Sequence, residues 1–321
     1  MNPRFHDYHP QSDDLRRWTL TGLAASPKQL PPKFFYDAAG SRLFARIVEQ
    51  PEYYIPAVER GILETHGGDI IHRLGLDGCI LIEPGAGCGI KVRFLLDRAR
   101  PAMYVPMDIS AAHLRQSAVG LAADYPWLPI HAICVDHTKP FELPSEIPAE
   151  RRVFFYPGSS LGNFDPPEAI RFLGDLSRKA GHRGRLLIGI DTKKPAAVLN
   201  RAYNDAAGVT AAFNLNLLLR IRQELGADLE VGGFHHQAFY NERHGRVEMH
   251  LVSRRDQRVR IDGSEFVFAA GESIHTENSY KYAPSEFQRL AGEAGWNAEQ
   301  VWLDPRGYFS IHLLRVGGRT D

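Results

Sequence analysis

The stretch Cys79-Ile80-Leu81-Ile82-Glu83-Pro84-Gly85-Ala86-Gly87-Cys88-Gly89 decides the reading of this chain. Its short apolar run predicts a buried strand. The glycines that follow let the backbone pass close to a ligand where a Cβ would collide. Segment 90–99 then sets Val92, Leu95 and Leu96 on one helical face. Strand, glycine turn and helix make a nucleotide-binding crossing. The turn alone is common in α/β proteins, where its plain role is a tight connection, so the residues around it must select the ligand.

Working toward the C-terminus, a strand at 103–108 ends in Asp108, and Ser110 can cap the next helix. Another, at 130–136, ends in Asp136. A fourth, at 152–156, runs into Pro157-Gly158-Ser159-Ser160-Leu161-Gly162-Asn163-Phe164, and after a helix at 167–180 a fifth, at 185–191, ends in Asp191. Alternating strands and helices predict a parallel sheet whose ligand lies beyond the carboxyl ends of the strands. One acid at that edge is usually a helix cap; Asp108, Asp136 and Asp191 in succession suggest more.

After residue 194 the pattern changes. Two helices are predicted in 195–226, then antiparallel alternation over 234–279 with a turn at Asp262-Gly263. A helix at 284–294 precedes strands at 300–304 and 308–316, joined by Pro305-Arg306-Gly307. Toward the N-terminus, a weak helix at 13–25 leads to the aromatic segment Leu30-Pro31-Pro32-Lys33-Phe34-Phe35-Tyr36-Asp37. Helices at 41–50 and 57–74 flank Pro51-Glu52-Tyr53-Tyr54-Ile55-Pro56. Adjacent aromatics usually pack, although tyrosine-rich loops also present hydroxyls to ligands.

Lys+Arg and Asp+Glu both number 38, so the chain of 321 residues lacks the basic excess of a phosphate-backbone binder. No nucleic-acid partner is expected; a small zwitterion suits it better. No leader and no membrane-spanning run are read, so no membrane partner is expected. Cys79, Cys88 and Cys134 are far apart and odd in number, which points to reduced thiols and a cytoplasmic location. A monomer is expected. His235-His236 and the other histidines show no metal-ligand spacing, so no metal is expected.

Rossmann dehydrogenases and S-adenosylmethionine methyltransferases share the opening strand, glycine turn and ribose-binding acid. Three features favour the methyltransferase: the antiparallel terminal hairpin, Asp136 in position for the adenine amino group, and Glu83 immediately before the turn. The expected fold class is α/β, a Rossmann-like class I methyltransferase sheet with an antiparallel terminal hairpin, plus a second α+β substrate lobe. The methyltransferase domain is assigned to 57–194 and 283–321, and the substrate-binding domain to 1–56 and 195–282.

Several stretches together resemble the histidine-specific Nα-methyltransferases of ergothioneine biosynthesis. They are 30–37, Pro51-Glu52-Tyr53-Tyr54, Gly158-Ser159-Ser160-Leu161-Gly162-Asn163, 202–214, Val247-Glu248-Met249 and Thr276-Glu277-Asn278-Ser279. The resemblance implies S-adenosyl-L-methionine as cofactor and the α-amine of L-histidine as methyl acceptor, up to trimethylation (hercynine). It matches Tyr36, Gly85, Lys91, Asp108, Asp136 and His137 to the cofactor site. Tyr53, Asn163 and Tyr203 match residues that hold the substrate's amino and carboxylate groups, with Tyr53 and Asn163 assigned the catalytic role. Met249, Glu277 and Ser279 match the wall that reads the imidazole. The Pro-Gly-Ala-Gly-Cys-Gly turn, His137 in place of a phenyl ring, and Asn278 depart from the family pattern. Taken singly, Asn163 is also a turn residue, Tyr203 and Met249 core residues, and Glu277 a sheet-surface acid. Two alternatives stay open: an N-methyltransferase of another small amino acid or amine, and a non-catalytic S-adenosylmethionine-binding module.

Overall fold

The computed structural model describes residues 2–8 and 13–317. The remaining positions (1, 9–12 and 318–321), which the two-lobe reading also assigned, lie outside the described residues. The chain divides into two compact units, one of residues 1–10, 55–193 and 281–321, the other of 11–54 and 194–280.

In the first unit Ile80–Pro84 is buried at every position, as a central strand covered on both faces must be. The sheet order is Arg4–Asp7, His131–Cys134, Met103–Asp108, Ile80–Pro84, Arg152–Tyr156, Arg185–Asp191, Phe309–Val316, Trp296–Leu303. Chain order reverses at Ile80–Pro84, which pairs in parallel with Met103–Asp108 on one side and Arg152–Tyr156 on the other. A ligand crevice is expected outside the carboxyl end of such a switch point. Phe309–Val316 pairs antiparallel to Arg185–Asp191 and to Trp296–Leu303, closing the sheet with a hairpin. The final hairpin thus begins at Trp296, four residues before the expected start. The fold is the α/β class I methyltransferase architecture.

The N-terminal segment departs from the sequence reading. Arg4–Asp7 is a strand pairing in parallel with His131–Cys134, so it extends the main sheet instead of joining the second lobe. Four residues of mixed exposure carry too little periodicity to reveal themselves. Their partner lies more than a hundred residues away, where His6 stacks on His131 at 5.4 Å.

In the second unit, helix Val209–Leu225 packs against Ala38–Val48 and against a sheet ordered Lys28–Gln29, Ser273–Tyr280, Arg246–Ser253, Phe234–Asn241. The expected alternation is present: Val247, Met249 and Leu251 enter the core, while Arg246, Glu248 and His250 take the other face. The span 234–279 is not one sheet, however. Gln257–Ile261 and Ser264–Phe268 form a separate hairpin, its turn made by Asp262 and Gly263 at φ 50° and 78°. Among the described residues no helix is long and apolar enough to cross a membrane.

Candidate active site

At the switch point, Gly85, Gly87 and Gly89 have φ of 68°, 54° and 65°, conformations that L side chains rarely adopt. A Cβ at Gly89 would stand 2.7 Å from Ser117 Oγ, so helix Ala111–Asp124 packs closely on this turn, while a Cβ at Gly87 would meet nothing within 4 Å. Asp108 accepts the Gly87 N–H on Oδ2 at 3.0 Å and the Ser110 N–H on Oδ1 at 2.9 Å. A carboxylate has about four acceptor sites, so the same group can still take two ribose hydroxyls. Asp136 is buried, with Oδ1 accepting the Thr138 N–H at 3.1 Å and its hydroxyl at 2.5 Å.

His137 follows directly, edge-on to Tyr156 at 6.2 Å, with its Cε1 3.4 Å from where a Gly85 Cβ would be. Burial pushes its pKa down, so the ring is neutral. Its Nδ1 is buried with no hydrogen-bond partner among the described residues. A side-chain-free cradle, an acid with spare acceptors and an orphaned ring nitrogen together fit a nucleoside cofactor.

Lys91 and Gly158 are linked through an acid that the sequence reading missed. Glu59 of helix Ile55–Leu74 is 2% exposed; its Oε2 lies 2.7 Å from Lys91 Nζ and its Oε1 accepts the Gly158 N–H at 2.7 Å. Gly189 leaves room for it, since a Cβ there would collide with Glu59 Oε1 and the Phe309 ring. Behind the turn, Glu83 accepts the Tyr104 hydroxyl, and burial pushes its pKa up to about 8, with Glu59 and Asp108 nearby adding to the rise. Asn163 ends the short helix Ser160–Asn163 that follows Gly158. Ser159, at φ 64°, accepts the Asp191 N–H on its hydroxyl at 2.9 Å.

Asp191 itself is spent elsewhere. Its Oδ2 meets Lys281 Nζ at 2.7 Å with both side chains wholly buried, so only Asp108 and Asp136 of the three edge acids remain for a ligand. A buried charge needs such a partner.

Of the residues matched to the substrate, Tyr53, Tyr203, Met249, Glu277 and Ser279 belong to the second unit, and Asn163 belongs to the first. Met249 is the cross-strand partner of Glu277, and Val247 that of Ser279, so Glu277, Ser279 and Met249 share one face. Tyr203 donates its hydroxyl to Ser279 Oγ at 2.7 Å, and the Tyr53 ring stands edge-on to Tyr203 at 6.3 Å. Tyr36 packs edge-on to Phe44 and Phe213, each at 5.7 Å.

On the opposite face, Glu248, His250 and His275 each bring a ligand-capable atom within 4.8 Å of the others, a grouping their spacing did not reveal. Their chemistry is that of an ion-paired stack. The His250 and His275 rings are stacked face to face, 4.8 Å apart at 17°, so their in-plane lone pairs lie in separate layers. Arg246 Nε already neutralises Glu248 at 2.8 Å.

Residues 15–316 match the family model described as histidine-specific methyltransferase, SAM-dependent. This chain belongs to that family. It is a histidine-specific, S-adenosylmethionine-dependent methyltransferase. The histidine N-alpha-methyltransferase of Mycolicibacterium smegmatis is 40% identical, covering 94% of this chain and 95% of the relative. That of Mycobacterium tuberculosis is 38% identical over 93% and 94%. Ergothioneine biosynthesis protein 1 of Neurospora crassa is 29% identical over 90% of this chain and 33% of its own length.

The residues missed in this methyltransferase share a signal. Glu59 sits among the buried Ile55, Val58, Ile62 and Leu63, at the spacing of a core-facing stripe. Asn214, hydrogen-bonded to His236 Nδ1 and to the His250 carbonyl, sits likewise among Thr210, Phe213, Leu217, Leu218 and Ile221. A polar residue inside an apolar helical stripe must find a buried partner, which is what both do.

Proposed function

We propose that this methyltransferase transfers methyl groups to the α-amine of L-histidine, up to trimethylation, for ergothioneine biosynthesis. S-Adenosylmethionine, when bound, supplies the electrophilic methyl group; Tyr36, Gly85, Lys91, Asp108, Asp136 and His137 are the residues proposed to hold it. The first unit carries all of these but Tyr36. The acceptor amine must be uncharged, with its lone pair aimed at the methyl carbon, so the protein's main contribution is orientation. Asn163 and Tyr203 are suited to anchor the carboxylate, and Tyr53 to stand beside the amine, because amide and phenol groups hold a zwitterion without a strong base. Repeated methylation then requires only that the amine rotate while the carboxylate stays fixed.

The observation that carries the choice of histidine is the shared face of Met249, Glu277 and Ser279, with Tyr203 bonded to Ser279. Glu277 is an acceptor for one imidazole N–H, and Ser279 pairs with the other ring nitrogen. Such a wall disfavours rings that leave its polar groups unpaired.

The free thiols of Cys79, Cys88 and Cys134 support a cytoplasmic setting, and a monomer is expected by light scattering. The test of function is mass spectrometry of purified protein with cofactor and a panel of amino acids and amines. Mono-, di- and trimethylated histidine are expected, and histamine should react poorly for want of a carboxylate. Another amine methylated in preference to histidine, or no product at all, would overturn the reading.

A further inference from the structure

We propose that Thr276, Asn214 and His236 are positioning residues that fix which face Glu277 presents and hold Tyr203 in register with it, and so set the preference for histidine. The proposal rests on the assignment of Glu277 and Tyr203 to the substrate.

Strand Ser273–Tyr280 is not regular. Ile274 opposes Leu251 and His275 opposes His250; then the register slips, and Glu277, not Thr276, opposes Met249. Strand side chains alternate with a period of two, so without the slip Glu277 would share the face of His275. Thr276 is the extra residue of a β-bulge, and it turns Glu277 and Ser279 onto the face of Met249 and Val247. The presentation of the ring-reading pair therefore depends on keeping this bulge.

A buried polar network holds it. Thr276, 1% exposed, places Oγ1 2.8 Å from Asn214 Oδ1 and 3.0 Å from the Met249 carbonyl, its single proton shared between two acceptors. Asn214, wholly buried, donates from Nδ2 to the His250 carbonyl at 3.0 Å and meets His236 Nδ1 at 2.9 Å. The carbonyl fixes the amide orientation, because a flipped Oδ1 would face another oxygen. His236 Nε2 lies 2.9 Å from the Tyr203 carbonyl and must be the donor there. Nδ1 is then the acceptor for Asn214, an arrangement only a neutral ring can make. Burial lowers the His236 pKa, in agreement with that tautomer. The chain of bonds thus runs from the bulge to the backbone of Tyr203, whose hydroxyl returns to Ser279. None of the three needs to touch substrate.

The test compares Thr276→Val, which keeps shape but loses the hydroxyl, with Thr276→Ser, which keeps the hydroxyl. His236→Phe serves as the second probe should Thr276→Val fail to fold. For Thr276→Val and His236→Phe the KM for histidine should rise about tenfold, and histidine's advantage over tryptophan in competition should shrink. S-Adenosylmethionine affinity by calorimetry should stay within about twofold, since the changes are local to the substrate unit. Thr276→Ser should restore KM and preference to near wild type. Folded variants with a lower Tm but unchanged KM and preference would overturn the proposal, leaving the network a purely structural role. Glu277→Ala run alongside separates the two readings. If it leaves the preference unchanged, the substrate assignment fails; if it shifts the preference and the network variants do not, only the positioning proposal fails.

Discussion

Asp108 and Glu277 are both acids assigned to a ligand, yet they are aimed in different ways. Asp108 ends a parallel strand, and N–H groups of the glycine turn and of Ser110 hold its carboxylate. Its orientation comes from backbone that the local pattern already dictates. Glu277 lies mid-strand, and its face is set by a one-residue bulge pinned from a helix more than sixty residues earlier. The placement of Asp108 is therefore robust to changes elsewhere, whereas an acid placed by a bulge depends on partners remote in sequence.

The comparison is tested most strongly at Glu277. Losing a charge-assisted hydrogen bond costs about 1.5–3 kcal/mol, so Glu277→Ala should weaken histidine binding roughly ten- to more than a hundred-fold. S-Adenosylmethionine binding should stay near wild type, and tryptophan should gain on histidine in a competition assay. An unchanged ratio would remove Glu277 from ring recognition. At the other acid, Asp108→Ala should lower S-adenosylmethionine affinity about tenfold by calorimetry, with Asp108→Glu intermediate. No binding of NAD is expected, and unchanged cofactor affinity in Asp108→Ala would take that carboxylate out of the site.

A smaller effect is expected behind the glycine turn. Glu59→Gln should raise the S-adenosylmethionine Kd about three- to tenfold, because Lys91 loses its counter-charge while the Gly158 contact can persist. A double-mutant cycle with Lys91→Met should show the two losses to be non-additive; additive losses would mean that Glu59 does not act through Lys91.

The smallest effect is one of pH. An acid whose folded pKa is raised favours the folded state fully only below its unfolded pKa, and that contribution is lost as pH rises through the folded value. For Glu83 the window runs from the ordinary 4.5 to about 8. Glu83's contribution to the Tm of the cofactor-free protein should therefore be lost between about pH 4.5 and 8, and Glu83→Gln should flatten that fall by several degrees. Identical slopes in the two proteins would show Glu83 ionised throughout.

Most of the first unit was legible because its signals are local. An apolar run of strand length, glycines where φ is positive, acids at strand ends and a Pro-Arg-Gly hairpin each act within a few residues. The family motifs assigned residues to the substrate in the same way, by short stretches, and those assignments remain proposals. Asp191 shows the limit: its sequence position matches that of Asp108 and Asp136, but Lys281, ninety residues on, takes its charge. Arg4–Asp7 shows another, since an edge strand of four half-exposed residues exists only through its partner.

The sequence by itself determined the alternation of strands and helices, the glycine turn and the family, because hydrophobic period and backbone chemistry are properties of neighbouring residues. Tertiary structure alone decided that Glu59 bridges Lys91 and Gly158, that Asp191 pairs with Lys281, and that Thr276 turns Glu277 toward Met249. The physical reason is common to all three. A buried polar group must find its hydrogen-bond or charge partner in space, and folding, not sequence distance, chooses that partner.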